Sequence, residues 1–104
     1  MIVFKFGGAS VKDASSVKNV ANVLQKVGYE DVLIIVSAMG KTTNALEAVV
    51  ETYQNDPSQL KTALQELEAF HLNIVADLLG ENKAPLVEKV RGLIQELATF
   101  FKHN

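Results

Sequence analysis

Lys5-Phe6-Gly7-Gly8-Ala9-Ser10-Val11 brings a positive charge, two glycines and a hydroxyl into one short stretch. Glycine lets the backbone approach a ligand with no Cβ in the way. A helix starting just beyond would add free N–H groups and the positive end of its dipole, a setting that suits an anion such as a phosphate. Lys5 would aim a full charge into the same space. The same residues also suit a tight strand-to-helix turn beside a solvated lysine, so this stretch alone leaves both readings open.

A second polar loop, Ser37-Ala38-Met39-Gly40-Lys41-Thr42-Thr43-Asn44, contains Gly-Lys-Thr. It is not a P-loop: the first glycine of G-x-x-x-x-G-K-[ST] would fall at position 35, which is Ile35. One reading gives Ser37 and Thr43 as hydroxyls that, with loop N–H groups, hold a small anionic substrate against a phosphate donor. The other has Thr42 or Thr43 cap the next helix.

The elements that must position these loops follow from periodicity. Ile2 to Phe6 is short, apolar and β-prone, a first strand. Ser10-Val11-Lys12-Asp13 has the hydroxyl-x-x-acid spacing of a helix start. Val17, Val20, Ala21, Leu24 and Val27 then form an apolar helix face, ended by Gly28. Val32 to Val36 is an unbroken apolar run, expected to be a strand buried on both faces. Strand, helix, strand makes a βαβ unit with a right-handed crossover and parallel strands. Both loops then open at the same sheet edge, where open α/β sheets bind ligands.

The remainder reads as helix. A segment from about Asn44 to Tyr53 carries Leu46, Val49, Val50 and Tyr53 on one face. Asn55-Asp56-Pro57-Ser58 stops it and starts the next. A stripe from Leu60 through Leu64, Leu67, Phe70, Ile74 and Leu78 ends at Gly80, and Pro85 opens a last helix. These two long helices are expected to form an antiparallel pair. His71 lies beside the stripe with no second metal ligand at a helical offset, and His103 is in the tail.

Composition bounds the function. The 104 residues suffice for one small domain, and 48% hydrophobic with 21% charged residues is ordinary for a globular chain. A net charge of −2 gives no electrostatic case for nucleic acid or acidic membranes. Without cysteine there is no disulfide framework, thiolate metal site or thiol nucleophile. No apolar run approaches the ~18 residues of a membrane span, and the N-terminus lacks the order of a signal peptide. A soluble cytoplasmic protein is expected. Two strands are too few to cover their own edges, which points to pairing with another chain or, by preference, to the opening part of a longer protein.

KFGGASV after the first strand and VSAMGKTTN after the second, taken together, closely resemble the N-terminus of the aspartate kinases of the amino-acid kinase family. The usual form of the first motif there is KFGGTSV, so Ala9 stands in place of a threonine. The stretch from about Asp56 onward resembles that family's helical segment. The resemblance implies an α/β class, the start of a three-layer α/β/α fold. Residues 1–54 would be its βαβα part with both loops and 55–104 its helical segment. The rest of the kinase domain and the ACT domains would lie beyond.

It also implies transfer of the γ-phosphate of ATP to the side-chain carboxylate of L-aspartate, giving 4-phospho-L-aspartate on the way to lysine, threonine and methionine. Carried over by motif position, Lys5 would stabilise the transferring phosphoryl group. Gly7, Gly8 and Ser10 would line the phosphate side, and Ser37 and Thr43 would contact aspartate. Mg²⁺ would arrive with the nucleotide, with no metal ligand from this chain. A homo-oligomer is implied for the full-length protein, and the 104-residue chain alone is expected to be inactive. The alternatives are another amino-acid kinase (for glutamate, acetylglutamate, carbamate or a nucleoside monophosphate), sharing Lys5 and the glycines but not the second loop, and a non-catalytic assembly module.

Overall fold

A computed structural model describes residues 1–103. The element order is β1 (Ile2–Phe6), α1 (Ala14–Val27), β2 (Val32–Val36), α2 (Thr42–Asn55), α3 (Leu60–Leu79) and α4 (Ala84–His103). Short 3-10 turns at Gly8–Val11, Pro57–Gln59 and Gly80–Asn82 join them. The chain forms two compact units, Met1–Thr42 and Thr43–Asn104. Through Val49 and Tyr53, α2 contributes to the core of the second unit.

In the first unit β1 and β2 pair in parallel, with Lys5 opposite Ile35 and Phe6 opposite Val36. This is the expected βαβ unit. The two aromatic residues two apart on β1, Phe4 and Phe6, stack with ring centroids 6.3 Å apart, as alternation along a strand requires. The expected burial of β2 on both faces does not hold within this chain: Leu33, Ile34, Ile35 and Val36 are all exposed, Val36 by 56%. Their apolar character is that of a central strand, but a two-stranded sheet supplies no layers to cover it.

The helix start also differs from expectation. Ser10 does not cap α1; it lies within the 3-10 turn. Asp13 is the cap, its carboxylate accepting from the Ser16 amide at 2.8 Å. That bond, then the Ser16 hydroxyl and the charge of Lys12, hold the Asp13 carboxyl below its ordinary value. On the apolar face, Val17, Val20 and Leu24 are half-buried while Ala21 and Val27 remain exposed. Gly28 ends α1 at φ +82°, a conformation that favours glycine.

The second unit is built on Val49 of α2, Leu64 of α3 and Phe101 of α4, with Tyr53, Leu60, Ala63, Ile94, Leu97 and Ala98 packed around them. Early α3 meets late α4, so the pair is antiparallel as expected. The Tyr53 and Phe101 rings, 4.8 Å apart, tie α2 into this core. Three helices, not two, thus share it, and α2 begins at Thr42 and ends at Asn55, outside the expected 44–53. His71 is half-buried, and its Nδ1 bonds the Leu67 carbonyl at 2.9 Å. Glu68 and Arg91 pair at 3.7 Å on the surface, a contact worth little to stability.

Candidate functional site

The first unit places the ends of both strands side by side. The ladder runs one step past β2: the Ser37 amide donates to the Phe6 carbonyl at 2.9 Å. The first loop then turns tightly, with the Ser10 amide donating to the Gly7 carbonyl at 2.9 Å. The Gly40 amide of the second loop donates to the Gly8 carbonyl at 3.2 Å. The two loops are therefore stitched backbone to backbone.

Gly8 and Gly7 are glycine for different reasons. A Cβ at Gly8 would lie 2.8 Å from the Gly40 carbonyl oxygen, so any other residue there forces the crossing loops to shift. Gly7 is extended, at φ −74° and ψ 175°, a conformation any residue adopts. A Cβ there would meet nothing within 4 Å. Nothing in this chain requires glycine at position 7, and the space before it is open for a ligand to approach the backbone.

Lys5 is exposed and forms no ion pair among the described residues. It lines an open hollow of about 710 Å³ with Ser10, Lys12, Ser15, Ser16 and Asn19. Two lysines and three serines line it, residue types suited to an anion. From the sequence, Lys12 was read only as part of a helix start and Ser15 and Ser16 were not singled out; the density of cations and hydroxyls just after the glycines was the signal passed over. Ser37 is exposed at the end of β2 and lies outside that hollow.

The second loop closes on its own helix. The Met39 carbonyl accepts from both the Thr42 amide, at 3.0 Å, and the Thr42 hydroxyl. Thr42 is buried, while Thr43 is exposed in the first turn of α2, where the second unit begins. Gly40 reaches its position at φ +54°. Among the described residues no group of three or more His, Asp or Glu side chains could hold a metal ion. No helix among them is long and apolar enough to cross a membrane.

With this geometry in hand, comparison with known proteins is specific. The amino acid kinase family model matches residues 1–97. The chain is 44% identical over 61 residues to an aspartokinase of Geobacillus stearothermophilus, covering 57% of this chain and 15% of that protein. It is 31% identical over 101 residues to the chloroplastic bifunctional aspartokinase/homoserine dehydrogenase 2 of Zea mays, covering 96% of this chain and 11% of that protein. It is 38% identical over 61 residues to aspartokinase 2 of Bacillus subtilis (strain 168), again 15% of that protein. The chain thus spans only a small part of the length of each of these relatives.

Proposed function

The chain belongs to the amino acid kinase family, and from that premise we propose that it is the N-terminal part of an aspartate kinase catalytic domain. The reaction is transfer of the γ-phosphoryl group of MgATP to the side-chain carboxylate of L-aspartate. A carboxylate oxygen bonds to the γ-phosphorus, the bond from that phosphorus to the bridging oxygen breaks, and ADP leaves with both electrons. Aspartate is already ionised at neutral pH, so no general base is needed. Such a reaction asks a protein for positioning and charge neutralisation above all.

The observation that carries this reading is the stitched pair of loops. A lysine and an unobstructed glycine end β1, and a hydroxyl-bearing loop bonded to the next glycine ends β2. Lys5 neutralises charge on the transferring group, and Gly7, Gly8 and Ser10 line the phosphate side. Ser37 and Thr43 hold the aspartate. Mg²⁺ is part of the nucleotide substrate. The aspartokinase relatives in bacteria and plants support aspartate as the acceptor. This activity belongs to the early steps of lysine, threonine and methionine synthesis, in the cytoplasm, in a homo-oligomeric full-length enzyme. The 104 residues alone carry little or no turnover.

The roles separate kinetically in the full-length gene product. Lys5→Ala is expected to lower kcat by about 10²–10³-fold, the cost of one preorganised group facing transition-state charge. Ser37→Ala and Thr43→Ala are expected to raise KM for aspartate and leave KM for ATP unchanged. A Lys5→Ala enzyme with wild-type kcat, or hydroxyl variants that change only KM for ATP, would overturn these assignments.

A further inference from the structure

The hollow beside the first loop is lined by more polar residues than the phosphoryl-transfer roles use. Lys5 and Ser10 share it with Lys12, Ser15, Ser16 and Asn19. Among the described residues no carboxylate lines it, so a chain of net charge −2 gathers two positive charges there and no negative one. Charge of one sign in a concave surface concentrates ligands of the other.

The end of helix α1 is not the source of this attraction. The Asp13 carboxylate accepts from the Ser16 amide at 2.8 Å and already occupies the first turn. The Ser16 hydroxyl serves the same carboxylate. Lys12 and Ser15 carry no such duty. Lys12 is exposed and forms no ion pair among the described residues, and Ser15 is exposed one turn further on. The backbone at position 12 is nevertheless fixed from both sides. Val11 is 4% exposed and Ala14 8%, and Lys12 itself closes the 3-10 turn at φ −73° and ψ −23°. A side chain on a held backbone loses less freedom when it meets a ligand.

ATP carries negative charge on all three phosphates, and Lys5 answers only the group in transfer. We propose that Lys12, with the Ser15 hydroxyl, is a second contact for the ATP phosphates, one that holds the nucleotide without assisting the transfer. The inference rests on the phosphate-side roles given to Lys5 and Ser10. An interaction made equally in the ground and transition states changes KM and leaves kcat alone, so Lys12 and Lys5 are separable.

The test is MgATP binding by titration calorimetry on the full-length gene product, with steady-state kinetics beside it. Lys12→Ala is expected to weaken Kd and KM for MgATP about tenfold, the loss of one charge-assisted hydrogen bond. Its kcat, KM for aspartate and thermal unfolding should match wild type. Lys12→Arg restores most of the binding, and Ser15→Ala weakens it less than Lys12→Ala. Inorganic tripolyphosphate is expected to lose affinity by the same factor as ATP. Lys18→Ala, which removes an exposed lysine of α1 outside the hollow, should bind as wild type. Unchanged MgATP binding in Lys12→Ala with turnover intact overturns this inference alone. So does an equal loss in Lys18→Ala, which would make the effect one of general charge, or a loss seen with ATP and not with tripolyphosphate. A wild type that binds MgATP more tightly than Lys12→Ala yet phosphorylates no aspartate supports the inference and overturns the acceptor assignment. A wild type that does not bind MgATP overturns both.

Discussion

At the scale of the residue, the two adjacent glycines of the first loop divide a structural from a functional demand. Gly8→Ala drives a methyl group into the Gly40 carbonyl, so the loops must part or shift. We expect a loss of about 1–3 kcal/mol, the range for overpacking, read from urea unfolding. Gly7→Ala adopts its backbone freely and is expected to be neutral or to stabilise by up to about 1 kcal/mol through the unfolded state. In the full-length enzyme it should nevertheless raise KM for ATP. The opposite order of stabilities would contradict the stitched-loop geometry. Both glycines were legible as a loop in the sequence, but their difference was not, because Gly40 approaches Gly8 only through the pairing of β1 with β2.

At the scale of the element, helix α1 shows how a local motif can be read at the wrong residue. Ser10-x-x-Asp13 has the spacing of a helix start, with Ser10 as the cap. The 3-10 turn that carries the first loop uses Ser10, leaving Asp13 to the helix. Strand limits were legible to the residue, since an apolar β-branched run ends abruptly at Ser37. The start of α2 was not: Thr42 and Thr43 look like loop until the Met39 carbonyl is seen closing the first turn. Asp13 also gives a signed pH dependence. Its carboxyl sits below its ordinary value of 3.8 in the fold, so the unfolded chain binds the proton first. The cap's contribution is complete above that ordinary value and is lost as pH falls through the lower, folded one. Asp13→Asn, which keeps the acceptor, should flatten this acid limb while Asp13→Ala lowers the melting temperature at neutral pH. Identical acid limbs in wild type and Asp13→Asn would contradict it.

At the scale of the molecule, the two units differ in how far they satisfy themselves. The helical unit closes a core around Val49, Leu64 and Phe101, and Phe101→Ala is expected to cost about 3–5 kcal/mol, enough to unfold much of a small unit, as circular dichroism would report. A loss below about 1 kcal/mol would place the core elsewhere. The βαβ unit leaves β2 bare although its residues are those of a central strand. The sequence pattern carried that demand for cover, and this chain alone does not meet it. The proposed catalytic role depends on the same unit, so it is tested most directly on the full-length gene product: ADP release from MgATP with aspartate, glutamate and acetylglutamate offered side by side, and the 104-residue chain run in parallel. Turnover by the full-length product, with strong preference for aspartate and little or none from the short chain, is the expected result. No turnover with any acceptor, or a preference for glutamate or acetylglutamate, would contradict it.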